Sequence, residues 1–212
     1  MANSVRFREM CRRLADLRAH MLPGNFSPTG DYSNRQLDRA RGYRLLAHAE
    51  IESFIEDITL DAARSTISEW SRSRSVNNTL VCLIAHYHDG YDIDGEGLEP
   101  AFSEKSRPKV KEAIKEIVDV AFRQYIQIHE KNHGVREANL KRLVLPIGVR
   151  KDDLDQTWVV NLEEFGKRRG EIAHKTAKVQ QQIDPKAEFE TVKELILGLR
   201  TLDTLVARQR AG

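Results

Sequence analysis

Three side chains able to handle phosphate lie close together in the stretch FGKRRGEIAHKT, which spans residues 165–176. Arg168 and Arg169 carry planar guanidinium groups, which bind phosphate oxygens through paired hydrogen bonds. His174 titrates near neutral pH, so its imidazole can take up or release a proton during a reaction. These groups suit cleavage of RNA without a metal, in which the 2′-hydroxyl attacks its own adjacent phosphate. DNA lacks that hydroxyl and would not react by this route.

The spacing of Arg169 and His174 sets a condition on how they could act together. Five residues on a regular helix turn the chain by about 140° beyond one full circle, so the two side chains do not share one narrow stripe. A second copy of the helix, packed about a two-fold axis, could bring both pairs into one cleft. Because R-x4-H also occurs by chance, a basic and solvated helix end stays open as the alternative.

Gly170 follows the second arginine directly and lies one turn before His174. A glycine inside a helix costs about 1 kcal/mol relative to alanine. Close packing against another helix would explain that loss, and so would room for a ligand.

A second candidate site is HEKNH at residues 129–133, which has the H-E-x-x-H spacing of zinc-binding helices. Gly134 follows His133 at once, so the helix is expected to end there, and no third ligand motif follows. We favour a polar helix end over a zinc hydrolase using His129 and His133, and we expect neither a metal nor a cofactor.

A third candidate is the pair formed by His48 and Glu52, which can meet because they are four residues apart on a helix. We favour a structural pair beside the core, with a supporting role in a site as the alternative. His86 and His88 have no spacing that suits a site. The acidic segment at residues 89–100 matches a calcium-binding loop poorly.

Helical periodicity covers most of the chain. We predict helices at about residues 4–22, 35–72, 107–132, 136–145, 153–176 and 186–208. Ser33 or Asn34 is a plausible cap for the second helix, whose apolar face is predicted to contain Leu46, Ile51, Phe54, Ile55 and Ile58. The apolar run NNTLVCLIAHYH fits a strand or a buried helix, and the helices on either side favour helix.

No alternating strand pattern, internal repeat or low-complexity linker divides the sequence. We therefore predict an all-α fold, a single-domain bundle of about six or seven helices over residues 1–212. An N-terminal helix and loop would occupy residues 1–32, and the core would occupy about residues 33–208.

The composition narrows the class of protein. The formal net charge is only +2, with 34 basic and 32 acidic side chains. This argues against a protein covered in basic patches, but not against a nucleic-acid enzyme with a local positive groove. Cys11 and Cys82 are predicted to be buried thiols of a reducing compartment. Without a signal peptide or an apolar run of about 20 residues, we expect a soluble, cytoplasmic protein that does not enter a membrane.

The stretches RRGEIAHKT, YRLLAHAEIESFIEDI and NHGVREANLKRLVLPIGV together resemble the HEPN superfamily, and most closely its RiboL-PSP-HEPN branch. The resemblance extends over about residues 39–176. It implies an all-α bundle, commonly dimeric, in which the R-x4-6-H motifs of two protomers form one composite ribonuclease site. It also implies an association with bacterial RNA processing and with toxin or anti-phage systems.

The resemblance makes Arg169 and His174 the catalytic pair, acting on an RNA substrate in a homodimer, with an antitoxin or other regulatory partner expected. Arg168 and Lys175 are predicted phosphate contacts, on physical grounds for the arginine. His48 and Glu52 lie in a segment that belongs to the resemblance, which adds weight to the alternative of a supporting role but does not make them catalytic.

Two positions depart from the pattern of the family. Many nucleases of the family have a polar residue, often asparagine, after the motif arginine, where this chain has Gly170. Toxins of the family that are silenced by a nucleotidyltransferase often have a tyrosine where this chain has Thr176. The alternative is therefore a dimeric, non-catalytic module that binds RNA or acts as a scaffold.

Overall fold

A computed structural model describes residues 3–87, 107–174 and 183–211 of the chain. In these ranges there is no strand, and the α-helices are α1 (Val5–Met21), α2 (Asn34–Ser73), α3 (Asn78–His86), α4 (Arg107–Glu130), α5 (Glu137–Val144), α6 (Gln156–His174) and α7 (Pro185–Ala211). The predicted all-α fold with six or seven helices is confirmed. Its extent as a single domain stays a prediction.

Side-chain caps explain where two of the helices begin. Ser33 caps α2, since its hydroxyl accepts a hydrogen bond from the N–H of Gln36 and its own N–H donates to the Gln36 side chain. Asp155 caps α6 by accepting from the N–H groups of Thr157 and Trp158, at 2.7 and 3.1 Å. Because Asp155 takes that role and residues 151–153 form a short 3-10 turn, α6 starts at Gln156 and not at the predicted residue 153.

The 40-residue helix α2 is the centre of the bundle, and each of the other six helices packs against it. Its buried side chains include Tyr43, Ile51, Phe54 and Ile55, and the last three lie on the predicted apolar face. Leu46 was also placed on that face, but it is 43% exposed, so this part of the prediction is wrong. The apolar run at residues 77–88 does form a helix, α3, over most of its length.

A buried ion pair joins α2 to α7. The Arg44 guanidinium donates from Nε to Oε2 of Glu188 at 2.7 Å and from Nη2 to Oε1 of the same carboxylate. Both side chains are almost fully enclosed, so the fork of two hydrogen bonds compensates two charges removed from water. The pair fixes the part of α2 that lies one turn before His48.

The two cysteines are separate free thiols, Cys11 on α1 and Cys82 on α3. Both are half-buried, so the prediction that they are buried is only partly correct. Burial raises the pKa of each thiol, which favours the neutral form. Among the described helices, none combines the length and the apolar character needed to cross a bilayer.

Candidate functional site

A cavity of about 360 Å³ opens between α2, α6 and the loop that joins α4 to α5. It is lined by His48, His133, Gly134, Arg136, Gly166, Lys167, Arg169 and Gly170. Among these lining residues there are three permanent cations and two histidines but no carboxylate. Two larger cavities, of about 420 and 450 Å³, have acidic walls that contain Asp57 and Asp203 in one case and Asp155 and Glu194 in the other. Of these three cavities of the described residues, the smallest is therefore the one suited to an anion.

Only one of the two neighbouring arginines of α6 lines the cavity. Arg169 is half-buried and lines the cavity, whereas Arg168 is half-buried but is not part of its wall. The backbone of α6 is helical through His174, so the 140° offset from Arg169 applies. The side chain of His174, and Lys175 and Thr176 as whole residues, lie outside the described part of the chain, so their roles stay predictions.

His48 forms the buried side of the cavity. The residue is only 1% exposed, and its ring stacks on Phe165 of α6 with 5.7 Å between ring centroids. Its Nδ1 atom lies 3.4 Å from Oε2 of Glu52 but is not aligned for a hydrogen bond, and it has no other partner among the described residues. This nitrogen therefore faces Glu52, which is not one of the residues that line the cavity.

Glu52 connects His48 to the loop after α4. Its Oε1 atom accepts a hydrogen bond from the backbone N–H of Gly134. Gly134 has a φ of +124°, a conformation that L-amino acids with side chains rarely adopt, so glycine is needed for the loop to make this contact. The predicted pairing of His48 with Glu52 thus occurs, and it also positions one wall of the cavity.

The electrostatics of Glu52 favour its ionised form. Burial alone would raise its pKa, but the His48 ring, the Gly134 N–H and the Arg169 guanidinium outweigh that effect, and the pKa lies below its usual value. An ionised Glu52 in turn attracts Arg169 towards α2. Glu52 is not one of the lining residues, so it affects the cavity through its contacts with His48, Gly134 and Arg169.

Replacing Glu52 with glutamine is expected to lower stability in a pH-dependent way. Since the folded-state pKa is below the unfolded value near 4.5, the ionised carboxylate stabilises the fold fully above that value. This contribution is lost as the pH falls through the folded-state pKa. Urea unfolding of parent and Glu52→Gln should therefore differ most at neutral pH and converge in acid. A difference that is the same at every pH would contradict the assignment.

Two cations, Arg136 and Lys167, form the outer wall, and each of them is paired with a carboxylate. Nε and Nη2 of Arg136 lie 2.9 and 2.8 Å from Oε1 of Glu163, and Nζ of Lys167 lies 2.7 Å from Oε1 of Glu164. The hydrogen bond with Arg136 is the main reason that the pKa of Glu163 is lowered. These pairs hold the cations in place on the cavity wall while the carboxylates stay outside it.

Gly170 borders open space: no described atom lies within 4 Å of the position that a Cβ would occupy. Packing against the described residues therefore does not explain the glycine. We expect Gly170→Ala to stabilise the protein by about 1 kcal/mol, measured by urea unfolding, because alanine is the better helix former.

Gly166→Ala is the matched control on the same helix, because there a Cβ would lie 2.8 Å from Cγ of Arg136. That crowding should cancel some of the gain in helix propensity. If Gly170→Ala were instead the more destabilising of the two, the space beside Gly170 would have to be filled by atoms outside the described residues or by a partner.

The two histidines of the HEKNH stretch do not lie on one helix in the structure. His129 lies in the last turn of α4, which ends at Glu130, and His133 lies beyond that end. Nε2 of His129 lies 3.0 Å from the carbonyl oxygen of Glu56, so this nitrogen must carry a proton and donate. No group of three or more potential metal ligands occurs in the described ranges. His86 is exposed at the end of α3, against Tyr87, and His88 and residues 89–100 lie outside the described residues.

Sequence reasoning missed Arg136, His133 and Lys167 as residues of the cavity. Arg136 and His133 lie in a loop, where no periodic pattern indicates which way a side chain faces. The available signal was the stretch NHGVREANL, in which a glycine interrupts a largely polar segment that contains His133 and Arg136. It pointed to a turn but not to the partner 82 residues away on α2.

Comparison with known proteins gives one family. A family model described as RiboL-PSP-HEPN matches residues 12–207, which is nearly the whole chain. The resemblance seen in the motifs is thereby confirmed over a longer range than residues 39–176. Neither the curated proteins nor the solved structures contain a significant match.

Proposed function

This chain belongs to the RiboL-PSP-HEPN family, and on that premise we propose that it is a metal-independent endoribonuclease that works as a homodimer. Membership of the family supports a role connected with RNA. The observation that carries the proposal further is the position of the motif arginine. Arg169 lines a cavity whose wall contains cations and histidines and no carboxylate among the described lining residues.

The proposed reaction is an internal transfer of the phosphoryl group. The 2′-hydroxyl of a ribose loses its proton to a base and its oxygen attacks the adjacent phosphorus. The bond from phosphorus to the 5′-oxygen of the next nucleotide breaks, and that oxygen takes up a proton. The products are a 2′,3′-cyclic phosphate and a free 5′-hydroxyl. No redox change and no added nucleophile are required.

His174 is the proposed proton donor and acceptor, and Arg169 is the proposed stabiliser of the charge that develops on the phosphoryl oxygens. Arg168 and Lys175 would contact the RNA backbone on either side. Because Arg169 and His174 are offset by about 140° on α6, the composite arrangement takes one cleft built from the α6 helices of two protomers.

The physiological role that we propose is that of a toxin or an anti-phage effector in the cytoplasm. Uncontrolled RNA cleavage harms its own cell, so an antitoxin or another regulatory partner would hold the enzyme inactive until it is triggered. The position of Thr176 does not support control by modification of a tyrosine there.

The direct test is incubation of the purified protein with single-stranded RNA in EDTA. We expect cleavage products with 2′,3′-cyclic phosphate ends, and no cleavage of DNA of the same sequence. A substrate with 2′-O-methyl groups throughout should also stay intact, because its nucleophile is blocked. Cleavage that stops in EDTA, or that proceeds on the 2′-O-methyl substrate, would contradict the mechanism.

Gly170 favours a second candidate, a dimeric module that binds RNA without cleaving it. The family position after the arginine often carries a polar side chain, and here it borders open space. Tight binding of RNA by the dimer, without turnover under any of these conditions, would select this candidate.

A further inference from the structure

The described residues that line the cation-lined cavity all come from one protomer. Arg136 and His133 come from the loop between α4 and α5, Lys167 and Arg169 come from α6, and His48 closes the inner side. The composite cleft proposed above needs two copies of α6, whereas this cavity needs only one chain. The described wall of this cavity therefore lies beside the proposed cleft and shares Arg169 with it.

Two independent observations indicate that the cavity is built for an anion. The first is its wall, with three permanent cations and no carboxylate among the lining residues. The second is how two of these cations are held: Arg136 is paired with Glu163 and Lys167 with Glu164, and neither carboxylate is one of the lining residues.

The hydrogen-bond donors of the Arg136 guanidinium are suited to binding an anion. A guanidinium has five N–H groups in a planar fork, and Glu163 engages Nε and Nη2 from one side. Glu163 also accepts the backbone N–H of Glu137 at 2.9 Å, so its position is fixed by the start of α5. The guanidinium is thereby held in one place at the cavity edge, with its remaining donors available to a phosphate oxygen.

We propose that this cavity binds a phosphate of the RNA strand that neighbours the phosphate being cut, with Arg136 and Lys167 as its main contacts. The inference rests on the proposed function for the identity of the ligand as RNA. Arg169 lies between the two positions, since it lines the cavity and also belongs to the proposed catalytic pair. The cavity sets the register of the strand and leaves the chemistry to the residues of the cleft.

The test measures binding to a 2′-O-methyl RNA oligonucleotide, which has the phosphates of RNA but cannot be cut by the proposed route. We expect Arg136→Gln to weaken binding about tenfold, the effect of losing one charged hydrogen-bonding contact. The plot of log K against log salt concentration should become shallower by about 0.7, as expected when one phosphate contact on a single strand is lost. Lys167→Gln should act in the same direction.

The matched control is Arg150→Gln. Arg150 pairs with Asp153 in an exposed position, as Arg136 pairs with Glu163, but it is not one of the residues that line the cavity. The control should keep the affinity and the salt dependence of the parent. Exposed pairs of this kind contribute little to stability, so both variants should unfold at nearly the temperature of the parent.

Inorganic phosphate is the second probe and distinguishes a strand phosphate from a free anion. At equal ionic strength, phosphate should displace more of the oligonucleotide from the parent than chloride does. In Arg136→Gln the two salts should displace the oligonucleotide equally. The assignment to RNA would be overturned if the parent bound phosphate in this way but Arg136→Gln bound the oligonucleotide as tightly as the parent does.

The outcome is separable from that of the proposed nuclease activity. If the parent binds the oligonucleotide through Arg136 but cuts no RNA, the subsite stands and the catalytic proposal fails. If the parent cuts RNA and Arg136→Gln behaves like Arg150→Gln in affinity and salt dependence, the subsite is wrong. The subsite is also wrong if the parent does not bind the oligonucleotide.

Discussion

Replacing His174 with alanine is expected to slow RNA cleavage by about 10²- to 10⁴-fold, the usual contribution of one acid–base group. Loss of the imidazole removes the proposed route for the proton, while the contacts to the phosphate stay. The affinity for a 2′-O-methyl oligonucleotide should therefore change little. The measurement is the initial rate of formation of cyclic phosphate ends at saturating RNA.

His20→Ala is the matched control, because His20 is an exposed histidine near the end of α1, a helix that contributes no residue to the cavity. It should cut RNA as fast as the parent. If His174→Ala also cut at the parent rate while unfolding at the parent temperature, His174 would not be the acid–base group.

The composite nature of the site can be tested with the same substitution. Arg169→Ala and His174→Ala are each expected to be nearly inactive as homodimers. Co-expression of the two differently tagged chains gives mixed dimers in which each protomer keeps one of the two groups. Activity that returns in the purified mixed dimer would support catalysis between protomers, and its absence would contradict the composite cleft.

Local sequence signals were sufficient to predict where most of the helices lie, although not every helix end. Ser33 with Gln36 three residues later marks the start of α2, and the structure has both hydrogen bonds of that capping arrangement. Gly134 correctly indicated that α4 ends before His133. In each case the deciding interaction lies within a few residues along the chain, so the sequence contains the information directly.

The wall of the cavity could not be predicted in this way. His48 was favoured as part of a structural pair, and nothing near it in sequence shows that α4 ends in a loop that docks on Glu52. The prediction that Leu46 lies on the apolar face was wrong for a related reason. A helical stripe gives the direction of a side chain, but whether that direction is buried depends on which neighbour packs there. Both questions are decided by tertiary contacts between distant segments.

The arrangement of α2 explains how the cavity is held together. Arg44 and His48 are one turn apart, and so are His48 and Glu52. The first of these residues is fixed by Glu188 of α7, the second stacks on Phe165 of α6, and the third holds the loop at Gly134. Three successive turns of one helix thus position three different parts of the bundle, and a shift of α2 would move all of them.

Replacing Glu188 with alanine is therefore expected to have the largest effect on stability, a loss of about 3–5 kcal/mol in the free energy of unfolding. The substitution leaves the Arg44 guanidinium buried without its partner, because Arg44 is only 8% exposed. The measurement is urea unfolding followed by circular dichroism. RNA binding should weaken along with stability, since the segment of α2 before His48 is no longer fixed.

Two further variants separate a buried charge from a general loss of packing. Glu190→Ala removes the ion pair between Glu190 and Lys193, in which both side chains are about half exposed. It should lower the free energy of unfolding by less than about 1 kcal/mol. The double variant Arg44→Met with Glu188→Met should recover most of the loss, because well-packed apolar groups can replace a buried pair at little cost. If Glu188→Ala cost no more than Glu190→Ala, Arg44 would have another way to reach water, and the pair would not be what fixes α2 against α7.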